Sequence, residues 1–379
     1  MKVIVKRMFI FGIVILIALS LLSCTPKSQI KDPAAGTLVF SHEEELQYAT
    51  RFTLTRYHNG YSVFRIPGID PEKSYLIVPQ GQPVPEKLSE NTVVLQQPID
   101  RICFSSGSLA SLAEALGAVE CIATVGIKKD NWILDPIVEG MENGEILYSG
   151  SYKTPDFEMM LKQGIQLEID SSMLVNYPDI IDKYEELGIP CLIEDSSKES
   201  HPLGRMEWIK LLGAILGKDE AAKKYFSEQA ARVEALEKTA DTQKTAALFY
   251  IGEKAVYVRN AGDYVPKMLD LAGGKNICAD LNPKQGGNQK MDFEEFYIRC
   301  KDADYLFWVV MSCPYTTIEE LIAYNELFAE FKAVKKGCVF TSRRGFAQCS
   351  ADMADVILEM NSLLCDPAIT ETENFIKIK

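Results

Sequence analysis

The chain has 379 residues, 47% hydrophobic and 25% charged, with a formal net charge of −13. Its length accommodates two domains of modest size beyond an N-terminal leader. The acidic balance, with no basic stripe or Arg/Lys-rich arm, excludes nucleic acid as a partner.

The leader opens with Lys2, Lys6 and Arg7 and continues as an apolar run from Met8 to Leu22. A charged start and an apolar core of this size predict a secretory signal over residues 1–23, too short for a comfortable transmembrane helix. The run ends in Leu21-Leu22-Ser23-Cys24, the pattern of a bacterial lipobox, in which the peptidase cuts before a cysteine whose sulfur has been acylated. Cys24 is therefore the predicted lipidation site; the competing reading is a signal anchor with an incidental cysteine. Residues 24–37, polar and punctuated by Pro26, Pro33 and Gly36, read as a flexible tether. Loss of the leader removes three positive charges and leaves a net charge of about −16. No later stretch is long enough to span a bilayer.

Ten cysteines minus Cys24 leave an odd number, with no CxxC pair and no regular spacing. Cys103 and Cys121 lie in apolar, strand-like runs, where free thiols behave as small hydrophobes. Unpaired thiols in an exported chain point to reducing or anaerobic surroundings.

Residues 38–97 form a β-rich extension. Arg51–Arg56 and Tyr61–Arg65 alternate about Asn59-Gly60, a two-residue hairpin signal, and further strands are predicted at Ser74–Val78 and Thr92–Leu95. From Pro98 strands alternate with helices: strands at Arg101–Phe104 and Cys121–Val125 flank a helix over Leu109–Leu116, and further units fall at Met173–Val175 and Pro190–Ile193. That alternation predicts βαβ units and a parallel sheet over residues 98–216. Lys218–Lys238 carries Ala222, Tyr225, Phe226, Ala230, Val233 and Leu236 at helical spacing, which predicts one long helix within 217–240. A second α/β lobe follows over 241–367, with segments at Ala246–Ile251, Val265–Leu271 and Tyr305–Val310, and residues 368–379 form a tail. The predicted fold class is α/β: two Rossmann-like lobes with parallel sheets, joined by one long interlobe helix, behind the β-rich extension.

An internal repeat supports two lobes. Asp156-Phe157-Glu158 recurs as Asp292-Phe293-Glu294, each opening a helix that leads to an apolar strand ending near Val175 or Val310, then to Asn176-Tyr177-Pro178 or Ser312-Cys313-Pro314. The aspartates suit N-caps and the glutamates suit the positive end of the helix dipole.

Four segments in order carry a resemblance to a family. They are Pro98-Ile99-Asp100-Arg101-Ile102-Cys103-Phe104-Ser105-Ser106, followed by Ala115-Leu116-Gly117-Ala118 and Val125-Gly126; Pro155-Asp156-Phe157-Glu158-Met159-Met160-Leu161; Leu269-Asp270-Leu271-Ala272-Gly273-Gly274-Lys275-Asn276; and Phe331-Lys332-Ala333-Val334-Lys335-Lys336-Gly337-Cys338-Val339-Phe340. Together they resemble the solute-binding lipoproteins of ABC importers for cobalamin, ferric siderophores and haem, the class III periplasmic binding proteins, from Pro98 to about Asp366. The resemblance implies a ligand held between two lobes and delivered to an ABC importer permease by a monomer. It also implies one exposed glutamate per lobe that docks on permease arginines, matching Glu158 and Glu294 here, with Glu295 competing in the second lobe. Two exposed carboxylates could steer an acidic protein onto a basic surface and fix its register. The implied location is the periplasmic face of a bacterial membrane, or the outer face where there is a single membrane.

Ligands of parallel α/β sheets bind beyond the carboxyl ends of the strands. That rule selects loops containing Trp132, Tyr152, Tyr177, Arg259, Tyr315, Arg343, Arg344 and Phe346 as candidate ligand-binding residues. Aromatic walls with guanidinium groups suit a large planar or macrocyclic chelate carrying carboxylates. Only His42, His58 and His201 are present, none at ligand spacing, so no metal bound by the protein itself and no resident cofactor is expected. A haem cargo would need an axial Tyr, His or Met. No Gly-x-Ser-x-Gly elbow, phosphate loop or His-Glu-x-x-His occurs, so no catalytic residue is assigned. An envelope hydrolase using a carboxylate pair, and a sensor without transport, are the alternatives.

Overall fold

The computed structural model describes residues 38–252, 255–309 and 313–379. The leader, Cys24 and the whole of the tether lie outside them, as do Val310, Met311 and Ser312 of the second repeat. No described helix is long and apolar enough to cross a membrane.

The extension is a five-stranded sheet in the order β1 (Phe40–Glu43), β2 (Thr53–Tyr57), β3 (Ser62–Arg65), β4 (Ser74–Val78), β5 (Thr92–Gln96). The turn between β2 and β3 holds three residues, His58–Gly60, rather than the two expected at Asn59-Gly60, because Arg56 pairs with Ser62; Asn59 and Gly60 still both take positive φ, 61° and 83°. Successive side chains on these strands point to opposite faces. Leu54, Phe64, Tyr75 and Ile77 join the main core of the molecule, while Tyr57, Val63, Leu76 and Val78 make a smaller cluster on the other side.

The first lobe is built on a parallel sheet in the order β12 (Cys191–Glu194), β11 (Leu167–Ser171), β6 (Ile102–Phe104), β7 (Ile122–Val125), β8 (Leu147–Tyr148). The short strands β9 (Gly150–Ser151) and β10 (Thr154–Pro155) pair separately. Helices α1 (Gly107–Ala115), α2 (Asp135–Asn143), α3 (Phe157–Gln163) and α4 (Pro178–Glu186) complete the alternation. The strand expected at Met173–Val175 is instead a 3-10 turn over Ser172–Asn176, and the strand lies earlier, at Leu167–Ser171. Glu168 and Asp170 interrupt its apolar pattern, yet both are fully buried.

The interlobe connection is two helices rather than one: α5 (Pro202–Leu216) and α6 (Asp219–Glu237). The predicted long helix is α6. In α5, every residue from Pro202 to Ile215 is buried, so it is the spine against which both lobes and the extension pack. A helix buried all round shows no amphipathic stripe, so the 3.6-residue period gives little sign of it.

The second sheet is mixed. Its centre is parallel, β13 (Thr245–Ile251) beside β17 (Tyr305–Trp308) beside β18 (Val339–Ser342), with β15 (Lys275–Asn276) also parallel to β13. Its edges are antiparallel, with β14 (Val256–Arg259) and β16 (Asn288–Met291) on one side and β19 (Phe375–Lys377) on the other. The expected tail thus contributes a strand, anchored by the fully buried Phe375. Helices α7 (Tyr264–Leu271), α8 (Phe293–Cys300), α9 (Ile318–Tyr324), α10 (Lys332–Lys335) and α11 (Met353–Cys365) belong to this lobe.

Two buried carboxylates on or beside α5 hold the extension in place. Glu207 accepts from the backbone N–H groups of Gln47, Tyr48 and Ala49 at 2.7–2.8 Å and pairs with Lys210 at 2.7 Å. Glu199 accepts from the N–H groups of Thr50 and Arg51 at 2.9–3.0 Å and from the Trp208 indole at 3.1 Å. A buried charge is tolerated when its lone pairs are filled in this way. Gln97 closes the far end, its amide donating to the carbonyls of Ala214 and Ile215 at the C-terminus of α5.

Glu207→Ala would leave three N–H groups without their acceptor and the Lys210 ammonium with only the Glu45 carbonyl, and should lower unfolding stability by about 3 kcal/mol in urea titration. Glu234→Ala, which removes only an exposed acceptor of the Tyr48 hydroxyl, should change it by less than about 1 kcal/mol. Equal losses would mean that the clasp does not hold the extension.

A second consequence concerns pH. Burial, and next the charge of Asp170, pushes the Glu168 carboxyl up to about 8; burial pushes Asp170 up to about 7. Both groups bind protons more tightly in the folded chain than in the unfolded one. Their contribution is therefore complete below the ordinary carboxylate values and is lost as pH rises through about 7 to 8. The melting temperature should fall between about pH 5 and pH 8, and Glu168→Gln should flatten that slope; an identical profile in the variant would contradict the assignment.

Candidate functional site

A cavity of about 1040 Å³ draws its walls from both lobes. The first lobe supplies Ser111, Glu114 and Ala115 from α1 and the segment Ile133–Asp135; the second supplies Cys313, Tyr315, Thr316, Thr341–Arg344, Phe346 and one face of α11; Tyr225 of α6 stands between them. Four of the sequence-predicted ligand residues line it: Tyr315, Arg343, Arg344 and Phe346. The Tyr315 ring meets Trp308 edge-on at 6.0 Å. Phe346 is buried against Phe375 and gives the cavity an apolar wall.

The two arginines are not free guanidinium groups. Arg343 is ion-paired with Glu371 and also donates to the Thr372 carbonyl at 3.2 Å. Arg344 reaches across to the first lobe, donating to Asn131 Oδ1 at 3.0 Å. Against Arg343, Arg344 and Lys377 the described lining residues set six carboxylates: Glu114, Asp135, Asp352, Asp355, Glu359 and Glu373. Burial first, and then neighbouring carboxylates, raise the pKa of Glu114 and of Asp352. The expected basic, aromatic wall is therefore acidic on balance.

The other four predicted residues lie outside this cavity. Trp132 is packed in the core, its indole donating to the Ile127 carbonyl at 3.0 Å, because the turn that carries it folds back on the lobe. Tyr152 and Tyr177 meet edge-on at 5.6 Å with the Lys153 ammonium over both rings, at 5.5 and 5.8 Å. Arg259 is buried and paired with Asp263 at 3.4 Å.

Arg259 has a partner in arrangement that sequence reasoning missed. Arg205 of α5 lies over the face of Tyr264 at 4.1 Å, and Arg259 lies 5.8 Å from the same ring. Both guanidinium groups are buried, and the Nε of each lacks a hydrogen-bond acceptor. Close by in the first lobe Glu194, also buried, accepts from the Ser106 hydroxyl at 3.0 Å and from the Ser196 N–H at 2.5 Å. A charged residue inside the apolar run Leu203-Gly204-Arg205-Met206 was the available signal.

The lobes touch directly beside the cavity. The Gln348 amide donates to the Asn131 carbonyl at 2.8 Å and accepts from the Ile133 N–H at 3.2 Å. The Ser108 hydroxyl donates to the Ala347 carbonyl at 3.2 Å. Gly345 has φ 83°, and a Cβ there would sit 2.3 Å from Ile133, so the close approach depends on glycine.

The repeated triplets open α3 and α8. Asp156 accepts from the Met159 N–H at 2.9 Å and Asp292 from the Glu295 N–H at 2.8 Å, as N-caps. Glu158 and Glu294 are exposed in the first turns and have no ion-pair partner among the described residues, whereas Glu295 pairs with Arg299 at 3.1 Å. The Glu168–Asp170 pair lies in the sheet of the first lobe and does not line the cavity. Among the described residues no three of His, Cys, Asp and Glu come together in a group that could hold a metal ion.

The profile of a family described as "Periplasmic binding protein" matches residues 105–344. The lipoprotein MJ0878 of Methanocaldococcus jannaschii is 32% identical over 314 residues, covering 77% of this chain and 72% of its own length. Among solved structures, the periplasmic haem binding protein HutB of Vibrio cholerae superposes with a TM-score of 0.59 at 15% identity, over 70% of this chain and 99% of that one. The siderophore binding protein FhuD of Vibrio cholerae, solved with Fe3+-Desferal, gives 0.54 at 14% identity, over 70% and 98%. The chain belongs to the periplasmic binding protein family.

Proposed function

We propose that this protein is the anchored receptor of an ABC importer, capturing a metal chelate between its lobes and handing it to the permease. The observation that carries this reading is the cavity, large enough for a chelate and walled by residues of both lobes, so that a bound cargo would report on their relative position. In this reading Cys24 carries the lipid that holds a monomer on the outer side of the membrane, and the tether keeps the local concentration at the permease high.

The charge of the cavity narrows the cargo. Six carboxylates, of which Asp355 is paired with Arg232, face three cations, of which Arg343 is paired with Glu371; that excess opposes a polyanionic ligand and favours a neutral or cationic chelate. A neutral hydroxamate-type ferric siderophore or cobalamin fits that requirement better than haem with its two propionates. A ligand that binds the native state alone raises the melting temperature. In a thermal-shift panel, a neutral ferric hydroxamate or cobalamin should raise it, and ferric catecholates should not. A response to polyanionic chelates alone would overturn the charge argument, and silence across the panel would overturn the chelate class.

Glu158 and Glu294, one per lobe and without an ion-pair partner among the described residues, are the proposed permease contacts. Together Glu158→Ala and Glu294→Ala should reduce uptake at least about 10-fold while leaving chelate affinity unchanged, since neither residue lines the cavity. Uptake at the parental rate would remove the docking role.

A further inference from the structure

The nine cysteines of the described residues are all free thiols, and most are buried singly among apolar side chains. One pair is different. Cys278, in the loop that follows β15, and Cys300, at the last turn of α8, have their sulfurs 3.5 Å apart, and both residues are almost fully buried. They are 22 positions apart in sequence. A disulfide requires the sulfurs to move about 1.5 Å closer, a shift within reach of side-chain rotation. No other thiol–thiol contact occurs among the described residues.

The pair is chemically asymmetric. The hydrogen-bonded contact with Cys300, and after it the nearby Arg299 guanidinium, outweigh burial and hold the Cys278 thiol below its ordinary value, while the same contact and burial push Cys300 up. Arg299 is itself held in place by Asp280 on the loop and Glu295 on the helix, each at 3.1 Å. Cys278 is thus the nucleophile and Cys300 the resolving thiol.

We propose that Cys278 and Cys300 are a peroxide-responsive redox site, closing into a disulfide that ties the end of α8 to the loop after β15. The Cys278 thiolate attacks one oxygen of hydrogen peroxide; an S–O bond forms, the O–O bond breaks, and the departing hydroxide is protonated to water. Cys300 then attacks the Cys278 sulfur; the S–S bond forms, the S–O bond breaks, and the Cys300 proton leaves with the hydroxyl as a second water. Two thiols are oxidised by two electrons and one peroxide is reduced to two waters. Hydrogen peroxide, neutral and little larger than water, is an oxidant suited to a buried pair. The inference is independent of the transport reading, although the helix concerned carries Glu294 in its first turn.

The test uses the full chain in detergent, reduced, freed of reductant and exposed to hydrogen peroxide, then alkylated under denaturing conditions and mapped by mass spectrometry. The expected product is a Cys278–Cys300 linked peptide, two hydrogens lighter than the sum of its parts. The melting temperature should rise by ~5 °C, and dithiothreitol should reverse both changes. In Cys300→Ser, dimedone should trap a sulfenic acid at Cys278; in Cys278→Ser, neither link nor shift should appear. Recovery of both residues as alkylated thiols while the exposed Cys365 is oxidised would overturn the proposal. So would a sulfinic acid at Cys278 in the parent chain, or a link between other cysteines.

Discussion

The architecture depends on how α5 carries charge through the centre of the molecule. A helix with nearly every residue buried would ordinarily be all apolar, yet α5 holds Arg205, Glu207 and Lys210, with Glu199 just before it. Burying these groups is tolerable only because each meets partners. Glu207 and Glu199 bind the backbone of residues 47–51, a stretch with no regular secondary structure of its own to satisfy its N–H groups. The extension and the spine therefore need each other. Without the extension the carboxylates of α5 would be stranded, and without α5 the segment between β1 and β2 would have no fixed path.

That interdependence explains what the sequence made legible. The hairpin at Asn59-Gly60, the capped starts of α3 and α8, and the amphipathic α6 follow from local chemistry, and the structure has them where local rules put them, the hairpin with one more residue in its turn. What escaped were elements whose character is set by distant neighbours. The strand β11 is covered on both faces and yet carries Glu168 and Asp170, which break its apolar run, and the spine α5 has no polar face to mark its period. The terminal strand β19 has only three residues and exists because the edge of β18 offers it hydrogen bonds.

The site divides in the same way. The loop that follows β18 and precedes α11 delivers Arg343, Arg344 and Phe346 to the cavity, as its position at a strand's carboxyl end implies. The expected basic character did not survive folding, because the acidic residues of α11 and of the segment before β19 come to face the same space. Those carboxylates are separated from the loop in sequence and converge only in three dimensions. Membership of the periplasmic binding protein family accounts for two lobes with a space between them.

The Gln348 amide, which joins the lobes by donating to one backbone group and accepting from another, carries no charge. Its contribution is therefore indifferent to salt concentration, and to acidity over the range in which the neighbouring carboxylates titrate. A neutral clasp beside an acidic cavity keeps the lobes in register while the electrostatics of the cavity change, leaving their separation to whatever competes physically for the amide.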